Sequence, residues 1–222
     1  MHYTNLVLGI HHAVGTPQDI AWGDHPKAVE SANRWTDWFT DELFAVRHPR
    51  VTVVTTTMSR LDCDVERLEH EPDRICRVCS LYGEDPEKTV SAESWNRRLA
   101  AWFRYRADLM LAAAGAMPLI IDCHSFPSDL ADDVDICLGF NEDASKPSEE
   151  TLTRVAETFR SAGYVVAFNR PYANAIAPLG YRGHSLMIEV NKRTYLDERK
   201  LEKSAGFMKL QATIRRVYRC LL

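Results

Sequence analysis

Short apolar segments alternate with longer segments of helical periodicity along most of the chain, and this alternation limits the folds open to it. Apolar and β-branched runs predict strands, whereas apolar residues three and four positions apart predict amphipathic helices. The pattern predicts a three-layer αβα fold around a mainly parallel, twisted sheet. The predicted strands are Leu6–Ile10, Val51–Thr57, Leu119–Cys123, Val134–Leu138, Tyr164–Phe168 and Ser185–Val190. The predicted helices are Ala28–Val46, Glu93–Ala114, a segment that opens at Pro147 and ends at Gly163, and Glu198–Leu221.

Length and composition are those of one globular domain, which we expect to span residues 1–222. Hydrophobic residues make up 45% of the sequence and charged residues 26%, which excludes an intrinsically disordered protein. The formal net charge of −4 argues against binding of nucleic acid through the overall field. The longest apolar run, Leu109 to Ile121, is too short to cross a membrane, and the first five residues lack the basic region of a signal peptide. We therefore expect a cytoplasmic protein with neither a membrane nor a nucleic-acid partner.

The stretch from Leu61 to Ser91 shows no clear hydrophobic period and is interpreted as a long loop, with or without a short helix in it. Loops of this length are often functional. The loop contains the pair Cys76-x-x-Cys79 without a second pair at zinc-finger spacing, so a structural metal or redox role is not favoured for it.

Histidines follow two of the predicted strands: His12 lies just beyond the first strand and His124 just beyond the third. In open α/β sheets, ligands bind outside the carboxyl ends of the strands. Two imidazoles, a carboxylate and a water are a common ligand set for catalytic zinc. The alternative is that each histidine is a loop residue bonded to backbone. His11 competes with His12, and its side chain is expected to point to the opposite face.

Two carboxylates stand beside these histidines in the predicted strands. Asp122 precedes His124 by two positions, so both side chains project to the same side, where Asp122 would orient the imidazole. Glu189 interrupts an otherwise apolar strand, and a buried carboxylate is costly unless it is paired or used. The sequence therefore offers Glu189 as a general base, the alternative being a strand-end residue in solvent or in an ion pair.

Arginines follow several predicted strands. Arg60, Arg67 and Arg170 present rigid forks of donors that suit a carboxylate or an oxyanion. The alternative for each of them is an ordinary place on the surface.

Several short strings occur in a fixed order between Leu6 and Glu198. They are Thr36-Asp37-Trp38, Glu42-Leu43-Phe44, Ser59-Arg60 with Asp64 and Arg67, Asp122-Cys123-His124-Ser125, Gly163-Tyr164, Asn169-Arg170-Pro171-Tyr172, Ile188-Glu189-Val190-Asn191 and Tyr195-Leu196-Asp197-Glu198. This ordered set resembles the N-formylglutamate amidohydrolase family, which is similar in fold to the zinc carboxypeptidases and to the aspartoacylase group. The resemblance implies a phosphorylase/hydrolase-like α/β fold of the zinc carboxypeptidase type.

The same resemblance implies a zinc-dependent hydrolase that cleaves an amide bond of an N-acyl amino acid with water activated by the metal. Family members typically cleave N-formyl-glutamate. The implied ligands of one zinc ion are His12, Asp37 and His124. The implied catalytic residues are Glu189, as the base, and Arg60, which would polarise the scissile carbonyl. The implied substrate-binding residues are Arg67, Arg170 and Tyr172.

The chain departs from the family pattern around the substrate. Glu66 stands where the family usually has an asparagine, and Ala173-Asn174-Ala175 replaces a common Gly-Gly turn. A negative side chain beside Arg67 would repel an anionic substrate, so we expect weak activity on N-formyl-glutamate and better activity on a neutral or amine-bearing substrate. The alternatives are a carboxypeptidase-like or peptidoglycan-type amidase on the same core, and a ligand-binding homologue without catalysis.

Overall fold

The computed structural model describes residues 2–14, 26–67, 71, 90–115 and 117–222. The strands are β1 (Leu6–Ile10), β2 (Val51–Thr55), β3 (Leu119–Phe126), β4 (Ile136–Gly139), β5 (Val166–Phe168), β6 (Ser185–Asn191), β7 (Leu196–Asp197) and β8 (Glu202–Lys203). The α-helices are α1 (Pro26–Trp35), α2 (Thr40–Phe44), α3 (Ala92–Ala112), α4 (Glu149–Arg160) and α5 (Phe207–Leu221). Short 3₁₀ turns follow β3 (Ser128–Leu130) and β6 (Lys192–Thr194).

Six of the strands form one sheet in the order β2-β1-β3-β6-β4-β5. All neighbours in it run parallel except β4 and β6, which are antiparallel. The central strands β1, β3 and β6 are buried along their whole length, as expected for strands covered on both faces. Their carboxyl ends meet at one edge of the sheet, which is where ligands bind in folds of this type.

Helices cover both faces of the sheet and complete three layers. On one face, Leu8 of β1 and Ile121 of β3 belong to a core shared with α2, α4 and α5. On the other face, Val7 and Ile120 pack with residues of α3. Alternate residues of one strand thus serve opposite cores, since successive side chains point to opposite faces. The predicted αβα fold with a mainly parallel sheet is confirmed.

The helix predicted over Ala28–Val46 is wrong as a single element, because the structure has α1 and α2 with a break at residues 36–39. Within the break, the Asp37 amide donates to the carbonyl of His12 at 2.9 Å instead of to the preceding turn. Phe39, the residue before α2, has a left-handed backbone with φ of 60°, so α1 and α2 cannot form one continuous helix. The break carries Asp37 toward the histidines.

The last helix begins later than predicted, at Phe207 instead of Glu198. The residues before it form the antiparallel pair β7 and β8. The turn between them is held by the Asp197 carboxylate, which accepts hydrogen bonds from the amides of Arg199 and Lys200. A side chain that bonds to nearby amides in this way favours a turn over a helix.

Helix α3 is the longest helix of the described chain. It begins after Ser91, whose hydroxyl caps the helix by accepting a hydrogen bond from the amide of Ser94. Its buried side chains lie on one face toward the sheet, while Phe103 and Leu111 are exposed. No helix of the described residues is both long and apolar enough to span a membrane.

Candidate metal and active site

The candidate site lies where β1, β3 and β6 end. His11 and His12 follow the last residue of β1, whereas His124 lies inside β3, which extends past its predicted end. His124 pairs in register with Glu189 of β6. Paired residues of neighbouring strands point to the same face, so the sheet itself brings these two side chains together.

His12, Asp37 and His124 converge on one point. The Nδ1 atoms of the two histidines are 3.3 Å apart. Oδ2 of Asp37 lies 3.2 Å from Nδ1 of His124 and 3.7 Å from Nδ1 of His12. Ligand atoms at the zinc distances of about 2.0–2.2 Å in a tetrahedron lie roughly 3.3–3.5 Å from one another. The separations observed for these three residues therefore fit a zinc ion.

Each of the two imidazoles is oriented by a buried carboxylate on its other nitrogen. Nε2 of His12 lies 3.0 Å from Oδ1 of Asp64, and Nε2 of His124 lies 3.0 Å from Oδ1 of Asp122. Burial disfavours the charge of Asp122, but the neighbouring His124 lowers the pKa of this carboxyl to about 2. A charged aspartate on Nε2 keeps the proton there and leaves Nδ1 as the ligand atom. The predicted contact of Asp122 with His124 is present in the structure.

The Asp37 carboxylate is fully buried and held on both oxygens. Its Oδ1 accepts a hydrogen bond from the Ser125 hydroxyl at 3.2 Å, and its Oδ2 faces the histidines. Burial works against its charge, but hydrogen bonds to His12 and His124 hold the pKa of the Asp37 carboxyl well below its usual range. Asp37 is therefore an anion at the centre of the site.

A second donor set shares two of these residues. His11, His12, Glu66 and His124 each offer a ligand atom, and the four atoms lie within 4.8 Å of one another. This group is looser than the first set, because Glu66 is half-buried and its carboxylate is 3.9 Å from Nε2 of His124. That nitrogen already faces Asp122. The donor atoms of His12, His124 and Asp37 are thus closer together than those of the set that includes Glu66.

His11 has surroundings of its own beside α3. Its Nδ1 atom lies 2.7 Å from the Tyr105 hydroxyl, and its Nε2 atom has no hydrogen-bond partner among the described residues. Burial lowers the pKa of His11 well below the usual value, so its ring is neutral. Gly9 makes room for this contact, because a Cβ atom at that position would lie 2.7 Å from the Tyr105 hydroxyl.

A cavity of about 510 Å³ opens over the histidines. His124 and Glu189 are part of its wall, whereas His12 and Asp37 are fully buried. The other charged side chains of its wall are Arg60, Glu66, Arg67, Glu71, Arg106 and Asp143. Such a pocket, with a few polar groups converging at its base, is the usual form of a small-molecule site.

Among the described residues that line the cavity, Glu189 alone has a buried side-chain oxygen without a hydrogen-bond partner. The residue is 6% exposed, and its Oε2 atom has no hydrogen-bond partner in the described part of the chain. Burial raises the pKa of Glu189 to about 8. A carboxylate with a raised pKa in a cavity is suited to accept and return a proton near neutral pH.

Two of the predicted arginines line the cavity. Arg60 is held by Oδ2 of Asp64 at 3.3 Å and by the carbonyl of Trp35, and its Nε atom has no partner among the residues described. Arg67 lies 3.4 Å from Oδ2 of Asp64 and 3.5 Å from Oε1 of Glu71. Both guanidiniums are thus fixed by carboxylates at the edge of the cavity.

Of the two remaining residues predicted to bind substrate, one lines the cavity and the other does not. Tyr172 lines the cavity. Arg170 is absent from its wall, and its fork makes two bonds to Asp133 on the surface, at 3.0 and 2.7 Å. A substrate-binding role for Arg170 stays a prediction to which this geometry gives no support. The Cys76-x-x-Cys79 pair lies outside the described residues.

Three residues that contact the candidate ligands were not predicted from the sequence to belong to the site. Asp64 orients His12, Ser125 bonds to Asp37, and Tyr105 bonds to His11. Asp64 and Ser125 belong to strings that carried the resemblance, which was the available signal for them. Tyr105 had none, because it sits on a helix far from the histidines in sequence.

Fold and site together define a three-layer α/β protein with a histidine–carboxylate centre at the carboxyl edge of its sheet. Residues 4–196 match the N-formylglutamate amidohydrolase family, and the chain belongs to this family. The predicted family is therefore confirmed, and with it the prediction of an enzyme that hydrolyses a linear amide.

Solved structures agree on the fold. The N-formylglutamate amidohydrolase from Ralstonia eutropha JMP134 is similar with a TM-score of 0.80 at 21% identity, over 100% of this chain and 94% of that chain. A gene product from Agrobacterium tumefaciens is similar with a TM-score of 0.61 at 18% identity, over 99% of this chain and 91% of that chain. Among curated proteins, no sequence matches this chain.

Proposed function

We propose that this chain is a zinc-dependent hydrolase that cleaves the amide bond of an N-acyl amino acid, with N-formyl amino acids as the first class of substrate. One observation carries the proposal. Nδ1 of His12, Nδ1 of His124 and Oδ2 of Asp37 lie within 3.2–3.7 Å of one another, below a cavity whose wall includes Glu189, a residue with a buried oxygen that has no partner among the described residues.

In this proposal His12, Asp37 and His124 hold the ion, and Asp64 and Asp122 fix the two rings. Bound zinc supplies a Lewis acid that polarises the amide carbonyl and lowers the pKa of water. As zinc ligands the two imidazoles would be neutral donors and Asp37 an anion, so the ligand set would partly neutralise a divalent cation. The buried position of the set removes water that would compete for the ion.

Glu189 acts as the base. Its Oε2 atom takes a proton from the attacking water and returns it to the leaving nitrogen, so that one carboxylate serves both halves of the reaction. Burial keeps this group dry, and a raised pKa lets it hold the proton between the two steps. The register of β3 and β6 keeps Glu189 on the same face as His124.

Arg60 and Arg67 serve the substrate. The unpaired Nε atom of Arg60 is available to donate to the oxygen of the scissile carbonyl, where negative charge develops. Asp64 holds both guanidiniums in place. Arg67 is the candidate for the carboxylate of the amino acid, and Tyr172 contributes to the wall of the same cavity.

The test is a screen for amine release from a panel of N-formyl and N-acetyl amino acids. It uses the zinc-loaded protein and the same protein after chelation. The proposal expects hydrolysis of at least one N-formyl amino acid, loss of activity on chelation and its return with zinc. Activity that survives complete removal of metal would overturn the zinc requirement. A zinc-loaded protein that hydrolyses no member of the panel would overturn the substrate class.

A further inference from the structure

Asp37 sits on a short connection whose backbone needs support. Residues 36–39 join α1 to α2, and within them Phe39 has a left-handed backbone with φ of 60°. A non-glycine residue in this region costs free energy and persists only where surrounding contacts fix it. The position of the Asp37 carboxylate therefore depends on groups that hold the backbone on both sides.

The turn after β6 supplies two such groups. The ammonium of Lys192 donates to the carbonyl of Arg34 at 2.5 Å, and the hydroxyl of Tyr195 donates to the carbonyl of Trp38 at 2.9 Å. These two carbonyls lie three residues before Asp37 and one residue after it. Both bonds come from one segment, which continues the strand that carries Glu189.

The two side chains that donate these hydrogen bonds are both deeply buried. Lys192 is 1% exposed and Tyr195 is fully buried. A buried ammonium is costly unless its hydrogen bonds and charge are used. Neither residue lines the cavity over the histidines, so neither is placed to touch a substrate there. Their contacts lead to the backbone that presents Asp37.

We propose that Lys192 and Tyr195 are positioning residues that clamp the backbone on both sides of Asp37 and so hold its carboxylate against His12 and His124. This inference rests on the proposed function in one respect, the role of Asp37 as a zinc ligand. Through the clamp, the strand that bears the base and the loop that bears the acidic ligand move as one unit. Groups that hydrogen-bond directly to a metal ligand typically change metal affinity by 10–100-fold when they are removed, and the lower end of this range is expected for groups that act through the backbone.

The test compares Tyr195→Phe with a matched control, Tyr218→Phe. Tyr218 is also a buried tyrosine whose hydroxyl donates to a backbone carbonyl, that of Phe44 at 3.0 Å, but this carbonyl lies at the end of α2, away from Asp37. Both variants lose one buried hydrogen bond, and both are expected to lose similar unfolding free energy. Zinc affinity is measured by competition with a chelator. Hydrogen exchange of the Asp37 amide is measured in the metal-free protein.

We expect Tyr195→Phe to bind zinc about tenfold more weakly than the parent and to exchange the Asp37 amide faster. Tyr218→Phe is expected to match the parent in both measurements. Lys192→Met is expected to act in the same direction as Tyr195→Phe, and if it fails to fold, the tyrosine pair decides alone. Equal zinc affinity and equal amide exchange in Tyr195→Phe and the parent would overturn the clamp. A parent that binds no zinc would overturn the proposed function, whereas amide exchange would still decide whether the clamp exists.

Discussion

The Nδ1 atoms of His12 and His124 face each other at 3.3 Å, and the Nε2 atom of each ring lies 3.0 Å from a buried aspartate. When both rings are neutral and their outer nitrogens donate to these carboxylates, two Nδ1 lone pairs face each other. Such an arrangement is stabilised by a cation between them, and the Asp37 carboxylate adds the third donor on the same point. These two histidines are therefore the centre of the proposed zinc site.

The orienting aspartates give the first prediction. Asp64→Asn and Asp122→Asn each replace a charged acceptor by a neutral amide, so the imidazole is held less firmly in its ligand form. We expect each variant to lose 10–100-fold in zinc affinity, measured by chelator competition. Asp133→Asn is the control, because this aspartate pairs with Arg170 on the surface. Unchanged affinity in both buried variants would separate these carboxylates from the metal site.

The second prediction concerns Glu189. Glu189→Gln keeps the size of the side chain but cannot accept the proton. Turnover on an identified substrate is expected to fall by at least ~10²-fold, the usual contribution of a general base. Zinc content, measured on the same preparation, is expected to stay at the level of the parent. A variant that keeps parental turnover would show that Glu189 is not the base.

The third prediction concerns Glu66, whose carboxylate lines the cavity and lies 3.9 Å from Nε2 of His124. A substrate carboxylate in this cavity would be repelled by the carboxylate of Glu66. Two like charges at ~4 Å repel each other by up to ~4 kcal/mol at an effective dielectric of about 20, and partial exposure of Glu66 reduces this value. Even ~1.4 kcal/mol is a tenfold change in affinity. Glu66→Gln is therefore expected to raise kcat/KM on N-formyl-glutamate about tenfold relative to the neutral N-formyl-glutamine.

The control for Glu66 is Glu93→Gln, which removes an exposed charge from the first turn of α3. This variant is expected to keep the substrate preference of the parent. If the parent already prefers N-formyl-glutamate and Glu66→Gln does not improve its use, the repulsion argument fails. Zinc loss in Glu66→Gln would instead assign Glu66 to the metal, as in the second donor set.

The fourth prediction is a pH dependence of stability. Burial lowers the pKa of Lys192 to about 8 from the ordinary value of 10.5. Asp37 and Glu198 act against this shift, while Arg60 and Arg34 act with it. The folded state thus binds the Lys192 proton less tightly than the unfolded state. The buried charge of Lys192 therefore lowers the free energy of unfolding. This loss is fully present below pH 8 and shrinks as the pH rises from 8 toward 10.5.

The measurement is the free energy of unfolding in urea at pH 8 and pH 9.5, for the metal-free parent and for Lys192→Met. The gain of the parent relative to the variant over this interval is expected to be between 1 and 2 kcal/mol, on the order of one pKa unit. Because the parent and the variant contain the same tyrosines, the comparison cancels the effect of tyrosines that begin to titrate in this pH range. A parent and a variant with parallel pH profiles would contradict the lowered pKa.

Much of this fold follows from local pattern. The apolar run Leu6–Ile10 predicted β1 with its observed ends, and the sheet order then places His12 and His124 at one edge. Helical spacing, by contrast, predicted one helix through Asp37. The break depends on a hydrogen bond between Asp37 and His12, residues far apart in sequence, and periodicity carries no information about such a bond. The part of the fold that builds the site was thus the part hidden from local pattern.

The site shows the same division. Asp122 and His124 were predicted to share a face because they are two positions apart in a strand, and the structure places them in contact. The contact of Tyr105 with His11 joins a helix to a strand end, so no spacing rule indicated it. Arg170 carried a sequence match, yet its partner Asp133 lies on the surface. Similarity of a string indicates a residue type at a position, whereas its partners depend on tertiary contacts.

The zinc content of three purified proteins decides which histidine binds the ion: the parent, His12→Ala and His11→Ala. The two substitutions remove neighbouring buried imidazoles, but in the structure only His12 places Nδ1 beside Asp37 and His124. We predict one zinc ion per chain in the parent and in His11→Ala after dialysis against a weak chelator, and none in His12→Ala. Zinc retained by His12→Ala and lost by His11→Ala would contradict the claim and make His11 the ligand.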